Sequence, residues 1–182
     1  LAAEAYDSLI AGLMRRRPVV FVGPYEHHSN EVSWRECFAE VVEIELTPQG
    51  LLDIEDLRRK VSRGEYSGRV RIGAFSAASN VSGVKTPVRE VASILHAAGA
   101  LAFFDFAAIA PYAAMDMRPA PDAIFDALYF SPHKFLGGPG AAGILLIHER
   151  IYRSDLPPTV GAGGTVDFVN FDGQEYNPDI EV

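Results

Sequence analysis

A carboxylate and an amine stand at two positions where an ordinary folded domain has little use for either charge. Asp105 directly follows the apolar run Ala-Leu-Ala-Phe-Phe at 100–104 and precedes Phe-Ala-Ala. In such surroundings a carboxylate is costly unless it pairs with a cation or accepts strong hydrogen bonds. It could cap a helix that begins near Ala107, or it could pair with a buried cation such as a protonated pyridine nitrogen.

Lys134 is the amine, and it lies in the segment Ser-Pro-His-Lys-Phe-Leu-Gly-Gly-Pro-Gly at 131–140. Its place between an apolar strand and Phe135 predicts that it is shielded from solvent, unless its side chain reaches out to water. Burial lowers the pKa of a lysine and makes the amine nucleophilic enough to form an imine. Ser131 and His133 flank it as donors for an anion. A phosphate held beside an imine-forming lysine is pyridoxal-phosphate (PLP) chemistry, in which an aspartate pairs with the pyridine nitrogen.

Strand and helix signals alternate along the chain. Apolar runs predict strands at 19–22, 41–46, 69–76, 100–104, 126–130 and 141–147. Periodic or capped segments predict helices over 1–14, from a Ser29 or Asn30 cap to Phe38, over 53–61, and from Pro87 to Gly99. The alternation predicts an α/β fold of three layers, α/β/α, around a mostly parallel sheet.

Polar residues that follow the predicted strands should meet at one edge of this sheet, because ligands bind beyond the carboxyl ends of parallel strands. They are His27, His28, Asn30, Ser76, Ser79, Asn80, Asp105, Ser131, His133 and Lys134. Neighbouring histidines on an extended chain point to opposite faces and no Cys/His cluster accompanies them, so we expect no metal. Stacking on an aromatic cofactor is the simpler role for His27, whereas Asn80 could also serve plain turn chemistry.

Composition narrows the classes of partner. The net charge of −8 at pH 7 disfavours nucleic acid as a partner. The single cysteine, Cys37, excludes an intrachain disulfide and favours a reducing, cytoplasmic compartment, and we expect it to be a small buried residue. No apolar run approaches the ~20 residues of a membrane-spanning helix, so we expect no membrane partner. A chain that begins at Leu1 and ends in a short polar stretch favours a fragment of a longer protein.

Four motifs together resemble the class V aminotransferase family of fold-type I PLP enzymes, and within it the cysteine-desulfurase-like group. They are Glu26-His27-His28-Ser29-Asn30 with Trp34, Ser79-Asn80-Val81-Ser82-Gly83, Asp105-Phe106-Ala107-Ala108 and Ser131-Pro132-His133-Lys134. The resemblance covers nearly the whole chain. It implies a PLP-binding large domain over 1–156, incomplete at its N-terminus, and an extended segment over 157–182 that leads to a missing small domain.

The resemblance implies a catalytic role for the charged residues. Lys134 would form the Schiff base with PLP and later move the proton at the α-carbon of an amino acid substrate. Asp105 would keep the pyridine nitrogen protonated, so that the ring can accept electrons. His27 would stack on the ring face, and Asn80 would lie near the ring oxygen and the substrate carboxylate.

The resemblance also implies how the cofactor phosphate is held. Ser131 and His133 would bind it, and Thr165 in a Gly-Gly-Thr loop would reach the phosphate of the neighbouring subunit in a homodimer. The sequence departs from the family at Ala108, where many cysteine desulfurases have a glutamine that bonds the ring oxygen. The family's catalytic cysteine and substrate arginine lie outside this sequence, so the substrate, and the choice between desulfuration and transamination, stay open.

Two other functions stay open as well. The chain could be a non-catalytic or degenerate homologue that keeps only the PLP fold. The pattern Ser131-Pro132-His133-Lys134 also matches the S-x-x-K of serine acyl-enzyme hydrolases. That motif belongs at the start of a helix with S-D-N and K-T-G elsewhere, and neither companion occurs in this sequence.

Overall fold

The centre of the molecule is a six-stranded sheet with strand order β2-β1-β3-β4-β5-β6. The structure is a computed structural model, and it describes residues 2–153, 155–156 and 163–177. The strands are β1 Val19–Val22, β2 Glu40–Glu43, β3 Arg71–Ser76, β4 Leu101–Asp105, β5 Ala127–Phe130 and β6 Ile144–Ile147. The first five run parallel, and β6 pairs antiparallel with β5. The predicted mostly parallel sheet is confirmed.

The helices are α1 Ala2–Arg16, α2 His28–Glu36, α3 Ile54–Val61 and α4 Val88–Ala97. The last three cover the two faces of the sheet, whereas α1 is largely exposed. Alternate residues of β1 enter different clusters: Val20 and Val22 pack with Trp34 of α2, whereas Val19 and Phe21 join the core that includes α3 and α4. Because successive strand side chains point to opposite faces, these two clusters define the three predicted layers.

The start of α2 differs from its prediction. We expected Ser29 or Asn30 to cap this helix, but the N-cap is His27, whose ring accepts a hydrogen bond from the Ser29 N–H. The helix therefore begins earlier and ends at Glu36. Cys37 follows as the C-cap and is exposed, so the prediction of a buried cysteine was wrong. Cys37 lies just beyond the end of the helix and belongs to neither core cluster.

The start of α4 is nearly as predicted. Pro87 is the N-cap, one position before the first helical residue, Val88. At the other end Gly99 adopts a φ of 72°, which glycine tolerates better than any other residue. The residues that punctuate a helix thus mark its ends to within one or two positions.

The last part of the described chain forms a compact unit of its own, His148–Val182, apart from the unit Leu1–Ile147. It contains the antiparallel strands β7 Val166–Val169 and β8 Gln174–Tyr176, after a 3-10 turn at Gly163–Thr165. Residues 157–162 and 178–182 of the predicted extended segment lie outside the described residues, and the predicted boundary at 156 stays a prediction. In the described ranges we found no helix long and apolar enough to cross a membrane.

Asp56 ties α3 to the chain that follows β2. Its carboxylate lies 2.7 Å from Lys60 Nζ and accepts hydrogen bonds from the Glu45 N–H and Arg59 Nη2, each at 2.9 Å. Burial acts to raise the pKa of Asp56. The hydrogen bonds from Lys60 and Glu45 and the charges of Lys60 and Arg59 outweigh that effect and hold the pKa below its usual value. The ionised carboxylate therefore stabilises the fold.

Asp56→Asn is expected to lower the free energy of unfolding by about 1–3 kcal/mol at pH 7, through weaker hydrogen bonds to charged partners. The wild-type stabilisation is complete above the unfolded-state pKa of about 3.9. It is lost as the pH falls from that value through the lower folded-state pKa. Urea unfolding at neutral and at acidic pH should therefore show the difference between the two proteins shrink in acid.

Glu55→Gln is the matched control, because this neighbouring first-turn acid is 76% exposed and pairs only with Arg58 in the described structure. It should change the free energy of unfolding by less than about 0.5 kcal/mol. A loss in Asp56→Asn that persists undiminished in acid would contradict the electrostatic explanation.

Candidate active site

Three polar side chains form a row across the carboxyl ends of β3, β4 and β5. The strand register pairs Ser76 with Asp105 and Asp105 with Tyr129. Paired residues of adjacent strands lie side by side on the same face of a sheet, so the three side chains are neighbours. The sheet edge that the sequence predicted as the ligand side thus has a carboxylate at its centre.

Asp105 is buried at the floor of this edge, with 7% of its surface exposed. Its Oδ1 accepts a hydrogen bond from the Ala107 N–H at 2.8 Å, which is the local capping contact that the sequence allowed. Within the described residues its Oδ2 makes no hydrogen bond. Burial raises the pKa of Asp105, and the Ala107 N–H and the positive charges of Lys134 and His27 offset only part of that rise. A nearby cation would be favourable here.

The structure brings four of the predicted site residues to Asp105. A narrow cleft above it is lined by His27, Asn80, Ala108 and Lys134, together with Ser76, Ala78 and Ala107. His27, Asn80 and Lys134 are exposed at its rim, while the carboxylate lies at its base. Three connections remote in sequence therefore converge on one acid, and the role of each residue stays a prediction.

Lys134 differs from its prediction in one respect. It is exposed, so the expectation that the apolar neighbours bury it was wrong. It ends a 3-10 turn, Pro132–Lys134, after which Phe135 packs toward the core and leaves the lysine on the open side of the cleft. In the described part of the chain its amine makes no hydrogen bond or ion pair. The S-x-x-K pattern thus spans a single 3-10 turn and not the start of an α-helix.

A second cavity, of about 390 Å³, opens on the other side of Asp105. Its lining includes Trp34, Tyr129 and Ser131. The buried Trp34 Nε1 has no hydrogen-bond partner in the described chain. Ser131 is therefore placed to offer a hydroxyl beside Asp105, whereas His133 is exposed and lines neither this cavity nor the cleft. Ser131 and His133 therefore do not line the same cavity, and their role in holding the phosphate stays a prediction.

A third cavity, of about 520 Å³, extends from the Lys134 side of the cleft. Asn80, Ala108 and Lys134 line both spaces, and Lys85 and Tyr112 border only this larger one. Ala108 contributes a methyl group to this wall, at the position where the resemblance implies a glutamine in many cysteine desulfurases. Space for a small substrate lies next to the lysine.

Thr165 lies in the unit that follows residue 147, in the Gly163–Thr165 turn. The prediction that it reaches the phosphate of a neighbouring subunit stays a prediction. His27 and His28 stand at the start of α2 and not on a strand. Over the described ranges, no three His, Cys, Asp or Glu side chains group as a metal site would require.

Glu26 and Trp34 belong to a sequence motif that predicted no role for them, and no sequence motif included Tyr129. The Glu26 carboxylate accepts hydrogen bonds from the Ser76 hydroxyl at 2.6 Å and from Asn30 Nδ2 at 2.7 Å. The Tyr129 hydroxyl donates to Asn30 Oδ1. The available signal was a charged residue directly before His27, four residues after the apolar strand.

These partners influence one another's ionisation. Burial raises the pKa of Glu26; hydrogen bonds from Ser76 and Asn30 lower it, and the charge of Asp105 raises it again, with a net rise. Burial, followed by the charges of Asp105 and Glu26, raises the pKa of Tyr129 well above its usual value. Tyr129 is therefore a neutral hydrogen-bond donor at physiological pH.

The donor set fits PLP. A buried carboxylate with an unbonded oxygen suits a protonated ring nitrogen, an unpaired amine at the cleft rim suits the aldehyde, and Ser131 and the Trp34 N–H could serve an anion. A mostly parallel sheet with these groups at its carboxyl edge defines the class as the α/β fold of PLP-dependent fold-type I proteins.

Comparison with known proteins gives the family. The protein-family model described as aminotransferase class-V matches residues 2–180 of this chain. A probable cysteine desulfurase of Chlamydia muridarum is 32% identical over 180 residues, 97% of this chain and 41% of the relative. One of Halalkalibacterium halodurans is 30% identical over 154 residues, 82% of this chain and 36% of the relative. The chain belongs to the aminotransferase class-V family.

Solved structures agree. The apo cysteine desulfurase from Thermococcus onnurineus NA1 superposes with a TM-score of 0.73 at 29% identity, over 94% of this chain and 43% of that one. The cysteine desulfurase CsdA from Escherichia coli gives a TM-score of 0.70 at 29% identity, over 91% of this chain and 41% of that one. The chain thus spans about two fifths of the length of these relatives.

Proposed function

We propose that this chain is the cofactor-binding part of a PLP-dependent enzyme that acts on an amino acid, with cysteine desulfuration favoured over transamination. One observation carries the proposal: buried Asp105, whose Oδ2 is unbonded in the described structure, and Lys134, whose amine is unpaired there, line the same cleft. The names of the relatives support the choice of desulfuration. Bound PLP supplies an electron-accepting ring that stabilises negative charge at the α-carbon of an amino acid.

The protein groups have distinct tasks in this proposal. Asp105 would hold a proton on the ring nitrogen, because the buried carboxylate gains from a cation beside it. Lys134 anchors the cofactor and moves a proton at the substrate α-carbon as a general acid–base. Its exposure on the open side of the cleft leaves the amine accessible to substrate from the 520 Å³ cavity.

The remaining groups would orient and enclose the cofactor. His27 covers one side of the cleft and offers a ring face, and Asn80 supplies an amide where the cleft meets the larger cavity. Ser131 offers a hydroxyl to the phosphate. We further propose that the protein is a cytoplasmic homodimer in which Thr165 reaches the phosphate of the neighbouring subunit.

PLP titration of the protein tests the proposal. We expect a new visible absorbance band and, after borohydride reduction, a pyridoxyl group on one peptide, the one that contains Lys134. With a dithiol reductant present, the full-length protein should then convert L-cysteine to alanine and sulfide, the reductant being oxidised to its disulfide; an amino-acceptor assay positive without sulfide would favour transamination. An intact fold without colour or label would contradict the proposal and favour a non-catalytic homologue.

A further inference from the structure

Glu26 is a carboxylate whose contacts in the described structure are all with donors. Ser76 offers its N–H at 2.7 Å and its hydroxyl at 2.6 Å, Asn30 offers Nδ2 at 2.7 Å, and the Gly23 N–H lies at 3.2 Å. These groups belong to β3, to α2 and to the end of β1. Because an ionised carboxylate accepts and never donates, it satisfies all four at once.

The Glu26 carboxylate fits beside the backbone at residue 23 because that residue, Gly23, has no side chain. A Cβ atom at Gly23 would lie 2.5 Å from Glu26 Oε1 and 3.3 Å from Phe75 Cδ1. A side chain at position 23 would therefore push the carboxylate away from Ser76. The glycine at the end of β1 and the glutamate three residues later form one device.

The contacts of Glu26 extend to both sides of Asp105. Asn30 is buried, and its Nδ2 donates hydrogen bonds to Glu26 and, at 3.4 Å, to the Ala74 carbonyl. Its Oδ1 accepts a hydrogen bond from the Tyr129 hydroxyl. Tyr129 is the register neighbour of Asp105 on β5. On the other strand, Ser76 is its neighbour on β3. A chain of hydrogen bonds, Ser76–Glu26–Asn30–Tyr129, thus links the two strands that flank the catalytic carboxylate.

The same residue precedes His27 directly. His27 has an extended backbone and caps α2 through its ring, so its place depends on how the loop before it is anchored. That anchor is the Glu26 carboxylate, which joins the loop to the end of β3 and to the first turn of α2.

We infer that Glu26 is a positioning residue of the cofactor site: it locks Asn30 and Ser76, and through them holds His27 and Tyr129 on either side of Asp105. The inference rests on the proposed function, because the site it positions is the proposed PLP site. Glu26 itself lines neither the cleft nor the 390 Å³ cavity, so it acts through its neighbours.

Glu26→Gln tests the inference, because glutamine keeps the size of the side chain but presents only one acceptor oxygen to four donors. We expect the dissociation constant for PLP to rise about 10- to 100-fold, the range seen when hydrogen-bonded partners behind metal ligands are removed. The His27 ring resonances should move in the cofactor-free protein as well. Glu26→Asp keeps the charge with a shorter reach and should fall between Glu26→Gln and wild type.

Two further variants separate positioning from general stability. Gly23→Ala should reproduce the effect of Glu26→Gln, because it displaces the same carboxylate from another residue. Glu31→Gln removes a partly buried acid of α2 that pairs with exposed Arg35 and lines neither the cleft nor the 390 Å³ cavity, and it should leave PLP affinity within twofold of wild type.

The outcomes are distinct. If Glu26→Gln and Gly23→Ala lower the melting temperature but leave PLP affinity and the His27 resonances at wild-type values, Glu26 is only structural and the inference is overturned. If wild-type protein binds no PLP, the proposed function fails. The cofactor-free His27 resonances then decide the inference alone, since a shift in Glu26→Gln supports positioning and unchanged resonances refute it.

Discussion

Lys134→Ala is expected to abolish the borohydride-stable attachment of PLP and to lower turnover of an amino acid by about 10²- to 10⁴-fold, the usual contribution of a positioned acid–base group. Lys134 lines both the cleft above Asp105 and the adjoining 520 Å³ cavity. Peptide mass spectrometry after borohydride reduction measures the first effect, and sulfide release from L-cysteine by the full-length protein, with a dithiol as reductant, measures the second. The fold should persist, because the lysine side chain is exposed.

Lys85→Ala is the matched control, since Lys85 borders the same larger cavity but not the cleft above Asp105. Its variant should still carry the pyridoxyl label on Lys134 after reduction. A label that survives in Lys134→Ala, or one that moves to Lys85 in the wild-type protein, would refute the assignment of the cofactor-anchoring amine.

Much of the fold follows from local patterns. The apolar run that became β1 is buried on both faces, and the run that became β4 is buried on one face and partly buried on the other; such runs of four or five residues are typical of strands inside a parallel sheet. The Asp53 carboxylate caps α3 by accepting a hydrogen bond from the Asp56 N–H at 2.9 Å, and the three-residue spacing of these two acids in the sequence is typical of a helix start. Each of these elements depends on residues within a few positions of one another.

The exposure of Lys134 could not be predicted from such local patterns. Its apolar neighbours suggested a shielded position, but burial in a 3-10 turn depends on which direction each side chain takes. Phe135 turns toward Phe130, with ring centroids 5.8 Å apart, and Lys134 therefore faces outward. A turn of three residues has no periodic pattern that would reveal its inner side.

The hydrogen-bond chain at Glu26 was invisible for a different reason. Glu26 and Ser76 are 50 positions apart, and Asn30 and Tyr129 are 99 positions apart. Only the pairing of β1 with β3, and of β4 with its neighbours, brings them together. Asp105 could be singled out because its conflict with apolar neighbours is local, whereas the groups that organise its surroundings are distant in sequence.

Asp105→Asn is expected to lower turnover by about 10²- to 10³-fold, the usual cost of removing one group that stabilises developing charge. Asparagine keeps the size of the side chain and an acceptor for the Ala107 N–H, but it cannot hold a proton on a ring nitrogen through opposite charge. Asp116→Asn is the matched control, because exposed Asp116 accepts from the Arg118 N–H at 2.8 Å in the same two-residue pattern. That control should keep wild-type turnover.

Asp105→Asn should not destabilise the fold at neutral pH. Because the pKa of Asp105 is raised in the folded protein, its ionisation costs stability as the pH rises from the unfolded-state value of about 3.9 through the folded-state value. Asp105→Asn removes that cost, so urea unfolding at pH 7 should show equal or greater stability.

PLP affinity of the wild type should fall in mild acid, because the Asp105 carboxylate takes up its proton at a higher pH than an ordinary aspartate. This decline should vanish in Asp105→Asn. A variant with lower stability but wild-type turnover would make Asp105 a structural cap and would remove the basis for a PLP site.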